Sequence, residues 1–241
     1  MDPVSHSFED LAQSLRILLE AHHRAEREGL IRLDRAEATG NVESAVSGVL
    51  NSFHSLFDAM TKARMSKQLD WYKTPELALI LLLRNARHHN HARKIRTLYT
   101  HYAQEAKRIG SMERYVLMDF PPADDDGDTF DVYLSWGDLR SLLTASSKES
   151  GVKEDTAASV KAYLGIERFA EYAAYHEVSE ARVMFNVVPL IVNAGRKIAP
   201  SLKGKIETRS TEADSFLKLF NVVGQANTLD HEVAGGPIAW A

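Results

Sequence analysis

Cysteine is missing from all 241 residues. Its absence excludes disulfides, Cys-ligated zinc, iron–sulfur clusters and thiol nucleophiles together. It also fits a reducing compartment. Long apolar runs are missing too. The longest stretch near the centre is Leu77 to Leu83, far short of the roughly 20 residues that span a bilayer. The opening residues Met1-Asp2-Pro3 lack the charged-then-apolar plan of a secretory signal. Positive excess is lacking as well: the formal net charge is -4, whereas a purely electrostatic nucleic-acid coat is basic. These absences set the expectation of a soluble, cytoplasmic chain with no membrane partner. Any contact with RNA has to come from a local basic patch.

What is present supports a packed core. Apolar residues make up 44% of the chain and charged residues 26%, which argues against wholesale disorder. The length suits one large domain, or a helical core with a substantial addition.

Periodicity predicts a mainly α protein. A first helix is expected over about Ser7–Arg27, with Ser7 and Asp10 in capping-box spacing and Leu11, Leu15, Leu18, Leu19 and His22 on one stripe. Residues 30–41 read as a connection. A second helix is expected over about Val42–Lys62, with Val46, Val49, Leu50, Phe53, Leu56, Phe57 and Met60 in register. The third has the clearest start. Thr74-Pro75-Glu76 offers a hydroxyl cap, a proline at the first helical position and an acid in the first turn. It runs into the buried set 77–83 and resumes through Leu98, Tyr99 and Tyr102 to about Arg108. Strand-like runs at 115–120 and 129–134 flank a turn with Pro121-Pro122 and four aspartates between 124 and 128, which predicts a small β-hairpin insertion near 115–134. A calcium loop is not expected there, because the ligand spacing and closing Glu are absent. Further helices are expected at about 137–145, 157–176, 179–197 and 211–223. Pro189 is expected to kink the third of these, and the tail from about 224 to be loose. The expected organisation is a bundle core over 1–110, the hairpin and a short helix over 111–145, and C-terminal helices over 146–241 that complete the bundle or pack on it.

Where the buried third helix ends, its character changes to Arg84-Asn85-Ala86-Arg87-His88-His89, followed by His91, Arg93, Lys94 and Arg96. Arg96 to His101 and Arg16 to His22 carry similar bare spacings, but the run at 84 alone places Asn second. These residue types suit RNA cleavage without a metal. Histidine titrates near neutrality and serves as general base or acid. A guanidinium holds a phosphate and stabilises added negative charge. An amide such as Asn85 hydrogen-bonds the phosphate or fixes a histidine tautomer.

Arg-Asn-x-x-x-His after an apolar helical run resembles the signature of the HEPN superfamily, most strongly over residues 42–108. The resemblance implies a HEPN-like helical bundle and a ribonuclease site of Arg84, Asn85 and His89, with His88 and His91 as further catalytic candidates. Arg87, Arg93, Lys94 and Arg96 would supply the local field for RNA. It implies an endoribonuclease that leaves a 2′,3′-cyclic phosphate and a 5′-hydroxyl, with no cofactor and no metal. Such enzymes often act as toxins or in antiviral defence, so an antitoxin or regulatory partner is also implied.

Geometry constrains that site. On an unbroken helix, positions five apart lie about 140° apart around the axis, so Arg84 and His89 would face different directions. Positions 84, 88 and 91 would share a side. Either the helix breaks between 84 and 89, or two copies share a composite site. The resemblance favours the second and so implies a homodimer. Two other readings stand beside it: a non-catalytic interaction module of the same fold, and a metal-dependent hydrolase built on His88, His89 and His91, which the neighbouring arginines disfavour. His22-His23 and His54 read as a helix-face pair and a packed histidine.

Overall fold

The computed structural model describes residues 2–65, 69–89, 95–105, 112–121, 130–145, 147 and 152–238, with the side chains of 87–89 and 105 outside the description. The fold is mainly helical, with ten helices and a four-stranded sheet among the described residues. None of these helices is long and apolar enough to cross a membrane.

Helix α1 runs Pro3–Glu26. It starts earlier than the periodicity indicates because Asp2 caps it, accepting from the amides of Val4 at 2.9 Å and Ser5 at 3.1 Å, with Pro3 in the first turn. A short helix α2 spans Leu30–Leu33. Helix α3 spans Arg35–Lys62, and Asp34 caps it through the Glu37 amide at 2.9 Å. It passes straight through Thr39-Gly40-Asn41, where the sequence suggested a connection. Burial of Ala38 and Val42 outweighs the cost of a mid-helix glycine, about 1 kcal/mol.

Helix α4 spans Pro75–His89. Residues Leu77 to Leu83 are all buried, because α4 is the central rod, packing against α3 and two later helices. Thr74 hands its hydroxyl to the Asp70 carbonyl at 2.8 Å. Helix α5 spans Leu98–Glu105. After α6 at Trp136–Thr144 come α7 at Glu154–Leu164 and α8 at Glu167–Tyr175. Sequence periodicity read these last two as one helix; Gly165, at φ +58, breaks it in the left-handed region that favours glycine. Helix α9 at Val188–Leu202 packs on α4, and α10 at Thr211–Val222 packs on α1 and α9.

The sheet corrects the hairpin. β1 is Glu113–Asp119 and β2 is Tyr133–Ser135, but they do not pair with each other. Between them lies β3, Val183–Asn186, parallel to β1 and antiparallel to β2. The order is β2-β3-β1-β4, with β4, Glu232–Ile238, antiparallel to β1 over seven residue pairs. The run at 179–197 was expected to be helical. Instead Val183, Met184, Phe185 and Asn186 are wholly buried as an inner strand. A continuous apolar run of this length carries no period that separates strand from helix. Pro189 then falls in the first turn of α9, where its missing N–H costs nothing, so it starts a helix instead of kinking one. The Gly-rich tail forms β4 along the edge of β1.

The two faces of the sheet alternate as a pleat requires. Tyr115 and Met184 meet Leu98 and Tyr102 of α5 on one face. Val116, Met118, Val183 and Phe185 join the main core on the other.

Candidate functional site

Helix α4 is unbroken from Pro75 to His89. Of the two ways to reconcile Arg84 with His89, a break between them is therefore not the one the backbone takes. Positions 84 and 89 lie about 140° apart around the axis, and position 88 shares the side of position 84.

Arg84 and Asn85 sit half-buried on the penultimate turn, just beyond the buried set that ends at Leu83, with Ala86 buried below them. Two amide oxygens meet the Arg84 side chain. Its Nε donates to Asn51 Oδ1 of α3 at 3.3 Å, and its Nη1 donates to Asn85 Oδ1 at 3.1 Å. Asn51 stands on the exposed face of α3. Amide acceptors orient a guanidinium through its N–H donors. The first two residues of the motif thus form one hydrogen-bonded unit, tied to the neighbouring helix.

The last turn of α4 carries Arg87, His88 and His89. The side chains of Arg87, His88 and His89, and all of His91, Arg93 and Lys94, lie outside the described residues. So does the aspartate-rich turn at 124–128.

Arg96 is engaged by Asp138 in the first turn of α6: Nε donates to Oδ2 at 2.9 Å, Nη2 to Oδ1 at 2.9 Å, and the backbone amide to Oδ2 at 3.0 Å. The bidentate pair commits this guanidinium to the fold and takes it out of the field offered to a phosphate. The Arg96 carbonyl accepts from the Ser135 amide at 2.9 Å, and Thr97 bridges Leu134, so residues 96–97 lie along the outer edge of β2.

The acid that holds residues 97–100 is one that sequence reasoning missed, Glu43 of α3, only 8% exposed. Its Oε1 accepts from the Thr97 amide at 3.1 Å, from the Thr97 hydroxyl at 2.8 Å and from the Thr100 hydroxyl. Glu43 and Asn51 are eight residues apart on α3, about 12 Å along its axis. One anchors Thr97 and the other Arg84, so a single rigid helix holds both ends of the basic segment. The signal that could have singled Glu43 out is its place on the buried stripe of α3, one residue from Val42. A charge on such a stripe needs a partner.

Three other histidines have packed settings. His54 pairs with Asp58 at 3.5 Å and packs on Phe57. His101 and His231 are buried. No group of three or more His, Asp or Glu side chains arranged to hold a metal occurs among the described residues.

Comparison with protein-family models, with curated proteins and with solved structures finds no match for this chain.

Proposed function

We propose that this chain is a metal-independent endoribonuclease of the HEPN type, working as a homodimer. The observation that carries the reading is the Arg84–Asn85 unit at the end of the central helix. There a half-exposed guanidinium is oriented by two amide oxygens and followed within five residues by histidine. In this reading Arg84 clamps the scissile phosphate and Asn85 sets the clamp's orientation. His89 takes the proton from the 2′-hydroxyl as that oxygen attacks phosphorus. A histidine of the second copy protonates the departing 5′-oxygen, leaving a 2′,3′-cyclic phosphate and a 5′-hydroxyl. The unbroken α4 supports a shared site, since one straight helix turns positions 84 and 89 apart. Such activity suits a toxin or an antiviral effector, with an antitoxin or trigger as partner.

A second reading, a non-catalytic binding module, draws on the same hydrogen bonds: Arg84 to Asn51 ties α4 to α3 and would serve packing alone. Purified wild type, Arg84→Ala and His89→Ala, incubated with total RNA in excess EDTA, separate the two. The ribonuclease reading expects fragments from wild type alone, and growth arrest on expression that His89→Ala relieves. Equal behaviour of wild type and His89→Ala would remove His89 from the chemistry and favour the binding module.

A further inference from the structure

The contact between Arg84 and Asn51 lies on a seam that α3 and α4 share, and the seam continues toward the start of α4. One ridge of α3 marks it, positions 43, 47, 51, 54 and 57, spaced by four and three as helix-surface neighbours are. Glu43 meets Thr97 beyond the end of α4, Asn51 meets Arg84 near that end, and Phe57 meets Trp71 and Tyr72 before its start. From Asn51 to Phe57 is about 9 Å along the axis. A stacked strand of nucleic acid rises about 3.4 Å per nucleotide, so a base two or three nucleotides from a phosphate at Arg84 reaches this point.

At that end of the seam the rings form a row. His54 and Phe57 have centroids 6.0 Å apart. Phe57 and Tyr72 are 5.9 Å apart with their planes at 89°, and the buried Trp71 backs Phe57 at 5.3 Å. Tyr72 is the outermost of the row and is 50% exposed. Its position is nevertheless fixed. Asp70 Oδ1 accepts from the Tyr72 amide at 3.1 Å and from the Lys73 amide at 3.3 Å, which sets the backbone, and Phe57 meets the ring edge to face. His54 is steadied by Asp58 at 3.5 Å. A ring set in advance leaves little to be ordered when a flat ligand stacks on it.

We propose that Tyr72, with His54 and Phe57 beside it, is a stacking platform for a base of single-stranded RNA, and that the backbone of this strand follows the α3–α4 seam to Arg84. The choice of ligand rests on the ribonuclease reading: a phosphate held at Arg84 brings its neighbouring bases along the same seam. Aromatic faces take bases of any sequence, because every base has a π-face. Bases paired in a duplex are not splayed out to stack on a side chain, so the site selects single strands.

The test uses a 2′-O-methyl RNA strand of about six nucleotides. It has no 2′-hydroxyl to attack phosphorus, so it stays whole whether or not the chain is a nuclease. Binding to the full chain is followed by fluorescence anisotropy of a terminal dye. Tyr72→Ala, checked for fold by circular dichroism, should weaken binding about tenfold, the equivalent of about 1.4 kcal/mol, which is within the range for base–aromatic stacking. Tyr72→Phe keeps the face and should bind as wild type does. Tyr175→Ala, which removes an 84% exposed ring at the end of α8, should change nothing. On the wild type, ring protons of Tyr72 should move upfield under the stacked base, and a duplex of the same strand should leave them in place. Tyr72-dependent binding without cleavage of ordinary RNA would remove the ribonuclease reading and leave the stacking site standing. Absence of binding, unchanged affinity in Tyr72→Ala, an equal loss in Tyr175→Ala, or equal shifts with the duplex would overturn the site.

Discussion

Glu43→Ala removes the single oxygen that gathers three donors where the chain returns from the basic segment. Thr97 is fully buried and its amide points at that oxygen, so truncation leaves a donor with nothing to bond. An unsatisfied buried amide costs about 1–3 kcal/mol, and a hydrogen bond to a charged group contributes about 1.5–3 kcal/mol. The three bonds share one acceptor and are not additive, so the expected loss is about 3–4 kcal/mol. That is a large part of a typical stability of about 5–15 kcal/mol. Glu43→Gln keeps an oxygen of the same shape and should lose about 1 kcal/mol. Urea denaturation followed by far-ultraviolet dichroism reads the difference. The midpoint of Glu43→Ala should fall by about 1–2 M for an m-value of about 2–3 kcal/mol/M, with the slope unchanged. Equal midpoints for the two variants, or a loss below about 0.5 kcal/mol for alanine, would show that Glu43 is not the anchor of this segment.

Other expectations follow from single residues. Gly40→Ala, mid-helix with open space where its Cβ would go, should gain about 0.5–1 kcal/mol. Gly165→Ala, at φ +58 and with a Cβ 3.1 Å from Leu229, should lose about 1–2 kcal/mol; thermal melts of the pair should move in opposite directions. Asp138→Asn breaks the bidentate hold on Arg96 and should cost about 1–3 kcal/mol in chemical denaturation. Burial lowers the pKa of His231 below its ordinary 6.5, with Tyr172 and the Leu164 and Thr228 carbonyls around the ring. The unfolded chain therefore binds the proton more readily. Stability is fully present above pH 6.5 and is lost as pH falls below it. Melting temperatures between pH 7 and 5 should drop less steeply in His231→Gln than in wild type.

The sequence was most legible along its periodic apolar stripes. The cores of α1, α3 and α4 lie where their stripes put them, because a half-buried helix has to repeat near 3.6 residues, and α6 and α10 fall within a residue of their expected ranges. Boundaries failed where burial outvoted a local signal, as at Gly40 inside α3. The hairpin failed for a different reason. Strand patterns mark which residues face a core but not which strand is the neighbour, and β3 comes some fifty residues after β2 in the chain. A parallel β1–β3 pair needs a long crossover, here through α6, α7 and α8, and nothing local to 115–134 announces it. β4 was hidden by composition, since Gly235 and Gly236 weaken any strand pattern. At the candidate site, the adjacency of Arg84 and Asn85 was readable as a motif. The supports from Asn51, Glu43 and Asp138 were not, because each is a tertiary contact 33 or more residues away.

The central claim is cleavage by the substrate's own 2′-oxygen, and the most direct measurement compares an RNA strand with its DNA counterpart under wild-type protein and excess chelator. The account predicts that the RNA is cut to fragments ending in 2′,3′-cyclic phosphate, that the DNA stays whole, and that His89→Ala cuts neither. Cutting of both strands, fragments lacking the cyclic phosphate, or full activity in His89→Ala would contradict it.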